Sequence, residues 1–292
     1  MTGQDHITFG PVHLEVTDLG RTARFWETLF GFESREGQDG SVEIGAAGET
    51  LIVLHGGAIA PVRRGHSGLY HLAIHTPDER DFARLLKRFS DLRYPASPTD
   101  HTFSKAIYLD DPDGINIEVT LETSERYRGA RTGPGNRLIF IGADGVERPG
   151  AVPLDLGKVF EAYQEGSEDE PAAKGTKIGH LHLHVGDLER SREFYTGLGF
   201  ELERWSPPMQ VADFGAGGPF KHRIAINTWQ GAGAPPTPAG IARMRHFEIR
   251  YATQAPLAAA LAANPSAVRA GDAYVVTDPS GSRIRLCGTD LP

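Results

Sequence analysis

The sequence predicts an α+β fold built from four repeated units, each a strand, a helix and then about three further strands. Three observations predict it. First, PVHLEVTDLGRTARFWETLFGF at 11–32 reappears as HLHLHVGDLERSREFYTGLGF at 180–200, and an internal repeat is the strongest single clue to architecture. Second, two looser copies occur at 68–89 (GLYHLAIHTPDERDFARLLKRF) and 245–263 (RHFEIRYATQAPLAAALAA). Third, both looser copies lead to an Asp-Pro-x-Gly turn and a final strand, YLDDPDGINIEVTL at 108–121 and VVTDPSGSRIRLCG at 275–288.

Within each unit the elements follow from residue pattern. The opening segments alternate apolar and polar residues, the period of a strand with one buried face. Asp18, Asp78 and Asp187 stand where a helix begins, and a side-chain oxygen there can accept from unpaired backbone N–H groups. Leu188, Ser191, Phe194, Tyr195 and Leu198 fall on one helical face, as do Phe82, Leu85, Leu86 and Phe89. The units fall into two halves: 1–122, with units at about 9–60 and 68–122, and 176–292, with units at about 176–230 and 243–290. Between them runs a connector, 123–175, with a glycine-rich RGARTGPGN, an apolar RLIFIG, a helical LDLGKVFEAYQ and a polar EGSEDEPAAKG. So long a connector marks a boundary, and it is long enough to let the halves cross over one another.

Composition narrows the function. Thirty Lys and Arg stand against 38 Asp and Glu, a net charge of −8, which gives no field for nucleic acid or an anionic membrane. No stretch of about 18 apolar residues spans a bilayer, and the N-terminus lacks the basic and apolar regions of a secretory signal. The expectation is a cytoplasmic protein. Cys287 is the single cysteine, so a metal would be held by His and carboxylate, which favours Fe, Mn or Zn.

Four βαβββ modules with these His and Glu positions resemble the vicinal oxygen chelate superfamily, and within it the two-domain extradiol dioxygenases of catechol 2,3-type. The resemblance covers nearly the whole chain outside the connector. It implies modules pairing into two cupped mixed sheets. Around one metal, one module gives a His from its first strand, and its partner a His from its first strand and a Glu from its last. Aligned on the helix-start Asp, His180 of the third module and His71 of the second occupy the first-strand position, and Glu118 the last-strand position. The first module has Pro11 there; the fourth has His246, but Arg285 replaces the carboxylate. Only modules two and three together supply a full set, which implies a crossed pairing with one live site and one degenerate site, whereas the family's common arrangement is sequential.

The resemblance also implies catalytic residues. Tyr108 lies ten residues before Glu118, the spacing of the family's active-site tyrosine; His222 stands at the acid–base histidine, and His101, more loosely, at a further one. The expected activity is Fe(II)-dependent ring cleavage of a small aromatic diol by O2, with Mn(II) compatible with the same ligands and a homo-oligomer compatible with the fold. His222 would serve as base and then acid. Two other readings of the fold are a glyoxalase-type isomerase, which typically adds a Glu ligand, and a metal-free binding protein of the bleomycin-resistance type. His182 and His184 share a strand face with His180 but match no ligand position, and are expected to line the cup. Glu189 lies on a helix, against a cupin motif; Asp111-Pro-Asp113-Gly114 is a turn and not a calcium loop; GAGGPF at 215–220 lacks the strand–turn–helix setting of a phosphate loop.

Overall fold

The computed structural model describes residues 3–288. Its opening strands are Ile7–Val16, Gly68–His75, Lys177–His184 and Arg243–Tyr251, and each leads to a helix: α1 (Leu19–Phe30), α2 (Glu79–Asp91), then, beyond a short α3 in the connector (Leu156–Phe160), α4 (Leu188–Gly197) and α5 (Gln254–Ala263). Asp18, Asp78 and Asp187 cap their helices by accepting from the backbone N–H of Arg21, Asp81 and Arg190. Three strands follow every one of these four helices.

Two mixed sheets result. The eight-stranded sheet joins the first and fourth modules through the antiparallel pair Ile7–Val16 and Arg243–Tyr251. The nine-stranded sheet joins the second and third through Gly68–His75 and Lys177–His184, also antiparallel. The pairing is therefore crossed. One face of each sheet packs Val12, Leu14, Ile52 and Leu54, or Leu72, Ile74, Ile117 and Val119, into the apolar core, as the period of two requires. The opposite faces form the cups.

The helices keep the sequential arrangement that the sheets abandon: α1 contacts α2, and α4 contacts α5. Two turns bind the sheets together at equivalent places. Asp113, buried in the Asp-Pro-Asp-Gly turn of module two, accepts from the Thr17 N–H (2.7 Å) and hydroxyl (2.5 Å), directly before the α1 cap, and pairs with Arg21. In the fourth module Ser280 Oγ accepts from the Gly186 N–H at 2.9 Å, directly before the α4 cap.

The connector is more ordered than its composition suggests. It forms a third sheet of Tyr127–Thr132, Leu138–Gly142 and Glu147–Pro149, and Val152–Pro153 adds to the edge of the nine-stranded sheet. Its polar part is pinned to the α1–α2 pair: Ala172 N–H donates to Gly31 O, and buried Arg84 donates to Glu170 O. Gly31 is left-handed (φ 69°), and a Cβ there would sit 2.9 Å from Glu170 O, so only glycine fits. Among the described residues no helix is long and apolar enough to cross a membrane.

Asp113→Ala strips the Thr17 N–H and Arg21 of their acceptor, and is expected to lower stability by about 2–3 kcal/mol. Ser280→Ala, which removes one neutral bond, should cost about 1 kcal/mol. Urea unfolding of both variants measures the difference; equal losses would show that the two turns do not carry load in this way.

Candidate metal centre

Three neighbouring strands at the centre of the nine-stranded sheet build the cluster. Ala73 pairs with Glu118 on one side and with His180 on the other. His71 is two residues before Ala73, on the same face. Because Ala73 carries only a methyl group, the three longer side chains meet above it. His71 Nε2 lies 3.1 Å from Glu118 Oε2, His180 Nε2 3.2 Å from the same oxygen, and the two Nε2 atoms 3.3 Å apart. All three residues are buried.

Two imidazole lone pairs and a carboxylate converging out of water repel one another unless a cation lies among them. Burial alone would push Glu118 up, but the facing His180 and His71 hold it well below the usual carboxylate range. Burial drives His180 well down, towards the neutral form that a metal needs. The donors therefore suit a divalent metal, and this is the one such group of three or more among the described residues.

Behind His180 runs a chain of hydrogen bonds that the sequence does not advertise. His180 Nδ1 meets His75 Nε2 at 2.8 Å, and His75 Nδ1 meets Glu122 Oε1 at 2.8 Å. Glu122 also takes Arg223 Nη1 at 2.7 Å, and Arg223 pairs with Asp5. Burial lowers His75 to about 4, so the ring is neutral and one nitrogen donates while the other accepts. The carboxylate at Nδ1 puts the proton there. His75 Nε2 then accepts from His180 Nδ1–H, which leaves His180 Nε2 free to face the cluster. Gly179 makes room: a Cβ at that position would lie 2.0 Å from the His75 ring. The only sequence sign of this chain is that His71 and His75 are four apart on one strand face.

The residues expected around the metal take distinct places. His222 stands with its ring centre 4.7 Å from that of His180. Its Nδ1 is 3.1 Å from Asp213 Oδ1, and Asp213 also pairs with Arg204. Tyr108 and His101 form a pair: Gly150 O accepts from His101 Nδ1, so His101 Nε2 accepts from the Tyr108 hydroxyl at 2.9 Å. Burial, then Glu118, raises Tyr108 well above its ordinary value. Neither Asp213 nor Gly150 was singled out from the sequence. His182 and His184 bind Asn227, whose amide nitrogen donates to His182 Nε2 and whose oxygen accepts from His184 Nδ1; both line the cup and neither joins the cluster. The connector covers this cup, with Tyr127 and Phe140 packed edge-on against Phe103, itself in contact with Phe220 and His222.

His180→Ala is expected to abolish stoichiometric divalent-metal binding. His75→Ala should weaken it about 10–100-fold by releasing the ring orientation, and Gly179→Ala should act in the same direction by displacing His75. Chelator competition with circular dichroism measures both affinity and fold; a His75→Ala protein with unchanged affinity would exclude the orienting role.

Residues 3–119 match the family described as the Glyoxalase/Bleomycin resistance protein/Dioxygenase superfamily, and residues 177–217 match the Bleomycin resistance protein-like N-terminal family. Over 244 residues the chain is 31% identical to the catechol-2,3-dioxygenase of Bacillus subtilis (strain 168), covering 82% of this chain and 81% of that one. Two solved structures share the fold. A protein of Bacillus subtilis subsp. subtilis str. 168, described provisionally as a dioxygenase, aligns with TM-score 0.61 at 14% identity, over 99% of this chain and 87% of that one. Glyoxalase I from Zea mays aligns with TM-score 0.54 at 17% identity, over 96% and 92%. With 31% identity over 82% of its length to one relative and the family match over residues 3–119, the chain belongs to the glyoxalase/bleomycin resistance protein/dioxygenase superfamily.

Proposed function

We propose that the chain is an extradiol dioxygenase, cleaving a catechol-like aromatic diol with O2, and that His71, Glu118 and His180 hold Fe(II), with Mn(II) acceptable to the same donors. The observation that carries this reading is the composition of the cluster: two imidazoles and one carboxylate, with no second carboxylate in the group. His71, Glu118 and His180 would hold a metal that could also take up the diol and O2 and lower the pKa of the diol. The 31% identity to a catechol-2,3-dioxygenase supports the same reading.

The surrounding residues suit that chemistry. With Asp213 beside Nδ1, the other nitrogen of His222 would take a proton from a substrate hydroxyl and later return it. Tyr108, kept protonated by its burial, would turn its one O–H from His101 Nε2 to an oxygen that becomes negative. His101 holds that hydroxyl in place. The aromatic cover from the connector excludes water from the reacting groups. A glyoxalase-type isomerase would share the fold, but its typical extra glutamate ligand has no counterpart in the group of three.

Protein purified without oxygen should carry about one Fe per chain by elemental analysis. On addition of catechols and O2 it should consume oxygen and form a yellow ring-opened semialdehyde. A metal-loaded protein that takes up no oxygen with any of a panel of catechols, or that turns over a hemithioacetal instead, overturns the proposal. His222→Ala should retain its metal while kcat falls by about 10²–10⁴-fold; loss of the metal would make His222 a ligand.

A further inference from the structure

The eight-stranded sheet forms a second cup in which the ligand positions have become Pro11, His246 and Arg285. A cleft of about 1110 Å3 runs from this cup to the rim of the other sheet, roofed by the loop at 61–67. The roof is fixed: Val62 N–H donates to Asp113 O, Gly65 N–H to Gln230 Oε1 and Ser67 N–H to Pro235 O. The size lies just above the usual range of about 300–1,000 Å3 for small-molecule sites.

Its lining reverses the sign of the protein. The chain carries a net charge of −8, yet six arginines face this cleft against Glu15 and Asp110. Arg243 is bound to Glu15, and Arg285 to Glu248 and Asp272. The other four, Arg63, Arg64, Arg245 and Arg283, make no side-chain hydrogen bond or ion pair among the described residues. Arg245 reaches the cleft because it is the extra residue of a β-bulge: His13 pairs with His246 and Leu14 with Met244, so Arg245 has no partner across the ladder. Arg283 is two residues from Arg285 and shares its face.

The field of these arginines is felt by the histidines beneath them. His246 is pushed down to about 3 by burial, then by His13, Arg285 and Arg283; His13 falls to about 4 by burial, then by His55, Arg285 and Arg245. His13 stacks on His246 at 3.9 Å and contacts His55 at 2.9 Å. Such a surface repels a metal cation and attracts an anion. Guanidinium groups recognise carboxylate and phosphate through paired N–H donors.

We propose that the metal-free cup and its cleft are a binding site for a small molecule bearing a carboxylate or phosphate group, held by Arg245 and Arg283 with Arg63 and Arg64 closing over it. The site is separate from the metal cluster and does not depend on what reaction occurs there. Isothermal titration calorimetry at fixed ionic strength, with inorganic phosphate in one arm and citrate in the other, tests it. One saturable site per chain is expected in at least one arm, and the arm that binds names the oxyanion. Arg245→Ala with Arg283→Ala should weaken binding by about tenfold or more, while His180→Ala leaves it unchanged. Both arginines are exposed and unbonded, so the double variant should keep the parent's melting temperature. Absence of saturation below about 10 mM in both arms, or binding undiminished in the double variant, overturns the proposal.

Discussion

The antiparallel seam between Gly68–His75 and Lys177–His184 is the contact on which the candidate centre depends. The second half of the chain holds His180 with no carboxylate to match, and the first holds His71 and Glu118 with Pro11 where a second histidine would be needed. Only when the two opening strands lie side by side do the three donors come within 3.3 Å of one another. A strand seam can deliver this accuracy because backbone hydrogen bonding sets the spacing of neighbouring strands and a one-residue slip would turn every donor to the opposite face.

The same seam geometry occurs between Ile7–Val16 and Arg243–Tyr251, with a different chemical outcome. There the repeat has kept the scaffold and exchanged the donors for proline and arginine. The helix pairs and the Asp113 and Ser280 turns then lock the two sheets together across the crossing, so that each sheet is assembled from both halves of the chain while each helical layer belongs to one. The arrangement sets a polar chain behind one cup: His75, Glu122, Arg223 and Asp5 run outward from His180, each bonded or ion-paired to the next. A polar chain of this kind is tolerable in a buried site only when every link is made.

Much of this was legible from residue order. The four modules, the helix caps at Asp18, Asp78 and Asp187, and the crossed pairing inferred from Pro11 and Arg285 all correspond to what the sheets and helices show. His71, Glu118 and His180, which the family resemblance implied as a set, sit at fixed distances from the helix-cap and turn landmarks, and the fold brings their donor atoms together. The connector was read less well. Its polar EGSEDEPAAKG has no apolar pattern to dock it, yet the Glu170 carbonyl and Ala172 N–H bind Arg84 and Gly31, and the Glu170 carboxylate pairs with Arg80. Likewise, nothing in the order of residues says that Tyr127 and Phe140 cover the cup, or that Asp213 stands beside His222.

The sequence by itself determined the module plan, the strand and helix periods, and which modules carry histidine or carboxylate at equivalent positions, because each is a matter of spacing along a chain. The tertiary structure decided which neighbours those side chains meet: the imidazole behind His180, the glycine that accommodates it, and the arginines left unpaired in the second cup. Those depend on register between strands more than 100 residues apart and on a bulge at Arg245, and such long-range contacts are set by the packing of the whole fold.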